Sequence, residues 1–288
     1  MALTPRRSCL SVPGSSERML AKAQGLPADE IVVDLEDAVA AGDKDAARER
    51  VVAALASWTG RAVSVRVNAP RSPWCHRDIA ALAALPDRPA AIVVPKVEGA
   101  GDLAFVERLL DGVEAAAGRT RPLRVQALIE TAAGLAAARE IAAASERLDA
   151  LILGYADLAA SLGRSAAGAR DLDAWRPAQE LLLLAARAHG LQAIDGPHLG
   201  IAVDDAFTAA VARARDLGFD GKWAIHPSQV EALTTAFTPT EEELAGARDV
   251  IAALDAADRG AVALDGQMLD EAVRAAALRT LARAGEPA

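Results

Sequence analysis

Two textures alternate along the chain. Short runs of β-branched and aliphatic residues end in a polar or ionisable group, and longer stretches follow in which alanine and leucine recur at helical spacing among charges. The apolar runs fall at Ser8–Val12, Glu30–Leu35, Ala62–Val67, Ala90–Pro95, Leu123–Ile129, Ala150–Leu153, Leu191–Ile194 and Gly221–Ile225. They lack strict in–out alternation, as expected of parallel strands covered on both faces. Between them the spacing predicts helices over Asp43–Ser57, Leu103–Ala117, Ala132–Ser145, Ala174–His189 and Asp204–Leu217.

Strands alternating with helices predict a parallel α/β sheet with right-handed crossovers, and eight strands are the number that closes a (β/α)8 TIM barrel. An open doubly wound sheet is the alternative. The barrel is expected to occupy residues 1–236, with 237–288 a C-terminal helical lid extension of the same domain. In that extension Thr240 reads as an N-cap and Glu243 as its capping-box partner. A second helix is predicted from about Gln267 to Ala284, and Arg259–Gly266 reads as a short strand or turn. These elements are surplus to a barrel, so they should cap it or reach a neighbouring subunit.

Composition narrows the function classes. The 288 residues are 52% hydrophobic and 25% charged, with a formal net charge of −9 and no basic cluster. That argues against nucleic acid, whose phosphates demand a positive face. No stretch reaches the roughly 18 apolar residues of a membrane span, and the N-terminus has no apolar signal region, so a cytoplasmic protein is expected. Cys9 and Cys75 fit no metal-ligand spacing. The glycines at Gly14, Gly134 and Gly154 lack the arrangement of a dinucleotide fingerprint.

Candidate chemistry gathers where the strands stop, which in barrel enzymes is where active sites lie. The ends carry Asp34, Glu36 and Asp37, then Arg66 and Asn68, then Lys96, Glu130, Asp157, Asp195 and His226. Glu130 and Asp157, from adjacent strands, could share a hard cation such as Mg²⁺, which takes one or two protein carboxylates and keeps its other positions for water and substrate. Each could instead merely N-cap its following helix. Arg66 has the planar fork that suits a substrate carboxylate, or a salt bridge to Glu36 or Asp37. Strand alternation sends Asp34 and Glu36 one way and Asp37 the other, so Glu36 and Asp37 are read as holding metal-bound waters or orienting Arg66. Lys96 reads first as an ion-pair partner, then as a substrate contact, then as a Schiff-base nucleophile. His226, before Ser228, a good N-cap, is as readily structural as catalytic.

At these residues the chain resembles the citrate lyase β-subunit-like branch of the HpcH/HpaI aldolase superfamily. The resemblance runs through Arg7-Ser8 with Val12-Pro13-Gly14, Asp34-Leu35-Glu36-Asp37-Ala38-Val39, Val65-Arg66-Val67-Asn68 and Pro95-Lys96-Val97-Glu98. It continues through Ile129-Glu130-Thr131, Asp157-Leu158-Ala159, Ala193-Ile194-Asp195-Gly196-Pro197 and Ala224-Ile225-His226-Pro227-Ser228-Gln229. Phe237-Thr238-Pro239-Thr240 and Gly266-Gln267-Met268-Leu269-Asp270 complete it.

The resemblance implies a homo-oligomeric barrel, a trimer for preference, with Mg²⁺ on Glu130 and Asp157. It implies that Arg66 holds a 2-oxo acid carboxylate, with Ala156 and Asp157 in the substrate site, and that Asp270 is an acid/base carried on a lid over the adjacent subunit. It also implies cleavage of a 3-hydroxyacyl thioester of the citryl-, malyl- or citramalyl-CoA type into a 2-oxo acid, such as oxaloacetate, and an acyl thioester. Two departures stand out: Ala156 replaces a frequent Glu, and Ala272 a frequent Pro. Other readings on the same scaffold are a malyl-CoA thioesterase, a Schiff-base aldolase using Lys96, and a citrate lyase β subunit dependent on an acyl-carrier-protein thioester.

Overall fold

The structure, a computed structural model, describes residues 5–86, 88–257, 262–264 and 267–285. The chain divides into two compact units, Arg6–Thr234 and a second that runs from Thr235 onward.

In the first unit eight parallel strands close a barrel: β1 Ser8–Pro13, β2 Glu30–Asp34, β3 Ala62–Arg66, β4 Ala91–Val94, β5 Arg124–Ile129, β6 Leu148–Leu153, β7 Gln192–Asp195 and β8 Gly221–Ala224. Each pairs in parallel with the next and β1 with β8, so the open doubly wound sheet is excluded. The predicted strands match to within one or two residues. Helices lie between them, including Glu17–Ala23, Lys44–Ala56, Cys75–Ala83, Ala100–Ala117, Leu172–Ala188 and Asp205–Leu217. The long helix predicted over Ala132–Ser145 is instead two short ones, Ala132–Ala136 and Ala138–Ala142, meeting at Ala137.

Inside the barrel, residues two apart on a strand stack as layers, because side chains alternate between faces. The middle layer is apolar: Cys9, Val32, Val93, Leu128, Ala150, Ile152, Ile194 and Trp223 form one buried cluster. Below it, at the strand N-termini, a polar floor crosses the barrel. Gln126 on β5 donates to Glu30 on β2 at 2.8 Å, and Arg6 donates to Glu30 at 2.8 Å and also binds Gln192 on β7. Arg6, Glu30, Gln126 and Gln192 are all buried. Thus β2 carries Glu30, Val32 and Asp34, and β5 carries Gln126, Leu128 and then Glu130: floor, apolar middle and mouth at matched heights.

The second unit packs helix Glu241–Asp255 on helix Glu271–Ala284 through Leu244, Ala247, Ala277 and Leu281. Thr240 and Glu243 form the capping box. The predicted start of the last helix is corrected: Gln267–Leu269 is β10, antiparallel to β9 at Val262–Leu264, and the helix begins only after Asp270. Of the predicted Arg259–Gly266 element, residues 259–261 and 265–266 lie outside the described residues.

Candidate active site

The mouth is organised around the backbone turn that follows each strand. After β2 the chain leaves extended geometry at Asp34, whose carboxylate accepts from the Glu36 amide at 2.7 Å and the Ala38 amide at 3.1 Å. The turn is held from outside by Lys44, whose ammonium donates to the carbonyls of Leu35 and Glu36 at 2.9 and 2.6 Å. Burial lowers the Lys44 pKa. Because the strand has ended, alternation no longer governs Glu36 and Asp37, and the expected opposite orientation fails. Glu36 reaches both Arg66 and Lys96, and Asp37 also faces Lys96.

Arg66 meets Asp34 as a fork, Nε to Oδ1 at 2.8 Å and Nη2 to Oδ2 at 2.6 Å, with Nη1 3.1 Å from Glu36 Oε2. Asp34, named among the strand ends but not as its partner, is therefore its main anchor, and Asp37 does not touch it. Burial opposes the Arg66 charge, but Asp34 and Glu36 more than compensate and raise its pKa. Its guanidinium stands 5.7 Å from the Trp223 ring of the layer beneath.

Glu130 is buried, and its carboxylate accepts the Lys96 amide at 2.9 Å. It does not cap the helix that follows; Thr131 does, accepting from Gly134 N. Burial first, then the neighbouring carboxylates Glu36 and Asp157, push the Glu130 pKa up to about 8 against the pull of Lys96. Gly154, at the end of β6, lies flush against it: a Cβ there would stand 2.5 Å from Glu130 Cβ and 2.7 Å from Oε2. Half-buried Asp157 is the third residue of helix Tyr155–Ser161, whose N-cap is Gly154, so its carboxylate is not used as a cap. Ala156 beside it is exposed.

Lys96 ties these groups together. Its ammonium is hydrogen-bonded to Glu36 and lies 3.6 Å from Asp37, 4.0 Å from Glu130 and 3.7 Å from Asp157. Four carboxylates from the ends of β2, β5 and β6 thus surround one cation, which bears out the ion-pair reading of Lys96 and puts Glu130 and Asp157 on the same side. Among the described residues no three acidic, His or Cys side chains stand in metal-ligating geometry. The protein side of a metal site here would be two carboxylates, the number Mg²⁺ commonly takes. Burial first and then the surplus negative charge hold Glu130 up, and a divalent cation relieves the second, so the residues present fit the ion.

Three of the expected mouth residues belong elsewhere. Asn68 turns to the buried Asp78, donating through Nδ2 at 2.7 Å. Asp195 follows Ile194 of the interior cluster, so alternation points it outward, where it pairs with Lys222. His226, not Ser228, caps the short 3-10 turn Pro227–Gln229, and it is exposed. His226 also lines a feature the sequence did not disclose, a cavity of about 370 Å³ beside the ends of β1 and β8. Its walls are apolar (Leu10, Val12, Met19, Leu26, Ile225), with Arg18 and Lys22 among them. Cys9 and Cys75 are free and buried, as expected of core thiols.

A model of the HpcH/HpaI aldolase/citrate lyase family matches residues 7–227. The chain is 39% identical over 287 residues to an L-malyl-CoA/beta-methylmalyl-CoA lyase of Cereibacter sphaeroides (strain ATCC 17029 / ATH 2.4.9), covering 92% of this chain and 90% of that one. It is 40% identical over 285 residues to a (3S)-malyl-CoA thioesterase of Cereibacter sphaeroides, covering 97% and 95%. Among solved structures it superposes on the protein CitE of Mycobacterium tuberculosis, in complex with magnesium, acetoacetate and coenzyme A. There the TM-score is 0.79 at 34% identity, covering 99% of both chains.

Proposed function

Because this chain belongs to the HpcH/HpaI aldolase/citrate lyase family, we propose that it is a carbon–carbon lyase that cleaves a 3-hydroxyacyl-CoA of the malyl-CoA class. The reaction yields a 2-oxo acid and an acyl thioester. The observation that carries the reading is the convergence of Glu36, Asp37, Glu130 and Asp157 on Lys96, beside an Arg66 guanidinium fixed by Asp34. Glu130 and Asp157 would hold Mg²⁺, which when bound supplies Lewis acidity and a template for oxygen charge.

Arg66 keeps N–H groups beyond those given to Asp34, and these bind the substrate carboxylate. Asp34 and Glu36 stop the fork from swinging, so the carboxylate is oriented as well as attracted. Asp270 of a second copy, as base, takes the proton from the 3-hydroxyl; the adjacent C–C bond breaks and its electrons pass into a thioester enolate. Protonation of that enolate carbon falls to the same Asp270, the copies forming a homo-oligomer, a trimer for preference. Glu36 and Asp37 hold Lys96 beside Glu130 and Asp157 and would take the waters of a bound ion, and the backbone at Ala156, next to Asp157, would lie beside the substrate.

The cavity beside β1 and β8 suits a CoA thioester: its apolar walls take the pantetheine arm, and Arg18 and Lys22 complement its phosphates. Incubation with Mg²⁺ and malyl-CoA, with products identified by mass, tests the reading. Glyoxylate and acetyl-CoA are expected, and full turnover in EDTA would refute it. The thioesterase relative at 40% identity favours a second reading, hydrolysis, which the same assay separates because it gives free malate.

A further inference from the structure

Immediately behind the mouth, on the outer side of β7 and β8, lies a second polar network. Lys222 and Asp195 are each 1% exposed and form an ion pair, and the Lys222 ammonium also donates to the Gly196 carbonyl at 2.5 Å. The same Asp195 carboxylate accepts the Tyr155 hydroxyl through its other oxygen. Gln179, buried on helix Leu172–Ala188, donates to that hydroxyl at 2.7 Å. The Tyr155 ring packs edge-on against Trp175 at 5.0 Å, and Lys222 Nζ lies 5.5 Å from the ring centroid.

A buried ion pair contributes little net stability, because desolvation offsets the attraction, so its value lies more in fixing one arrangement. What this one fixes is Tyr155, the first residue of the helix whose third residue is Asp157. Gly154, before it, lies flush on Glu130, and Gly196 leaves room for the same ring, since a Cβ there would stand 2.9 Å from Tyr155 Cδ2. The start of this helix is therefore clamped on one side by Glu130 and on the other by Asp195.

We infer that Tyr155, held by Asp195, Lys222 and Gln179, is a positioning residue that sets the separation of the Glu130 and Asp157 carboxylates and so the affinity for the divalent cation. The inference rests on the metal reading above. Residues one step removed from a metal site commonly change affinity by about 10- to 100-fold when altered.

The test is the Kd for Mg²⁺ by isothermal titration, with Mn²⁺ as a spectroscopic check, on the full chain. Tyr155→Phe removes one oxygen and keeps the ring on Trp175; its Kd should rise about tenfold, with a modest fall in melting temperature because buried Asp195 and Gln179 each lose a partner. Gln179→Met, which loosens the same hydroxyl, should weaken binding in the same direction by less, and serves if the first variant folds poorly. A lower melting temperature with Kd within twofold of wild type in both variants would make the network purely structural and overturn the inference. Glu130→Gln and Asp157→Asn run in parallel separate the two claims. If they still bind the cation, the metal reading fails; if they lose it while Tyr155→Phe does not, only the positioning role fails.

Discussion

Lys96 gives its backbone amide to Glu130 Oε1 at 2.9 Å from a residue standing at φ 52°, in the left-handed region that side chains avoid. Holding a lysine there costs about 1–2 kcal/mol, and the turn it makes aims both its amide and its ammonium at the carboxylates. Burial works against the ammonium charge, but the hydrogen bond to Glu36 and the charges of Glu36, Glu130 and Asp157 raise its pKa overall. A Schiff-base lysine needs the opposite shift. Borohydride added with a 2-oxo acid should therefore trap no adduct; a reduced adduct mapped to Lys96 by mass would revive the Schiff-base mechanism.

Gly154 must remain a glycine for Glu130 to keep its place. Gly154→Ala puts a methyl where Glu130 Cβ and Oε2 already stand. We expect a loss of about 1–3 kcal/mol of stability from overpacking, together with weakened cation binding. Denaturant melts with and without Mg²⁺ measure both; a variant that binds the ion like wild type would show that the contact is unimportant to the site.

Cation affinity should rise with pH. With the Glu130 pKa raised from 4.5 to about 8, the metal-free protein holds a proton there at neutrality, and the cation must displace it. The same shift makes the metal-free fold lose stability as pH climbs from the unfolded value through the folded one, because charged Glu130 is the disfavoured form. Calorimetry from about pH 6 to about pH 9 should give tighter binding and a larger metal-induced rise in melting temperature, levelling above about pH 8. A pH-independent Kd would sink the prediction.

Asp270 is exposed and caps helix Glu271–Ala284, its Oδ1 accepting from Ala272 N at 2.9 Å and Val273 N at 3.1 Å. Asn caps as well as Asp but cannot serve as an acid or base here. Asp270→Asn should thus leave the melting temperature within about 1 °C and lower kcat by roughly 100-fold or more. Unchanged kcat would remove Asp270 from the chemistry.

Neither thiol should react in the folded protein. Burial first, and then Asp78, push Cys75 up to about 12; burial and Glu30 raise Cys9. At neutral pH both stay protonated, and the thiolate is the reactive form. Maleimide labelling should be nearly absent until denaturant is added, and rapid labelling of either residue in native buffer would contradict this.

The mouth was legible where a charged residue directly follows an apolar run, as at Glu130, Arg66 and Lys96. The spacing Glu30-Val32-Asp34 and Gln126-Leu128-Glu130 even shows two inward rows, whose outermost members, Asp34 and Glu130, stand at the mouth. Asp195 was misplaced because its strand, Gln192–Asp195, has no polar–apolar alternation from which to tell inside from outside. Lys222 inside Gly-Lys-Trp-Ala was the available signal of a buried ion pair behind β7 and β8. Lys44 was missed because its ammonium binds main-chain carbonyls, which carry no sequence signature. Gln267-Met268-Leu269 reads as helical by composition, and only the N-cap character of Asp270 marks where the helix starts.

The polar floor formed by Arg6, Glu30, Gln126 and Gln192 lies beneath the packed apolar layer, which separates it from the carboxylates of the mouth. If Glu130 and Asp157 hold a cation as proposed, it reaches them from the mouth, and a thioester bound across that mouth would slow its exchange.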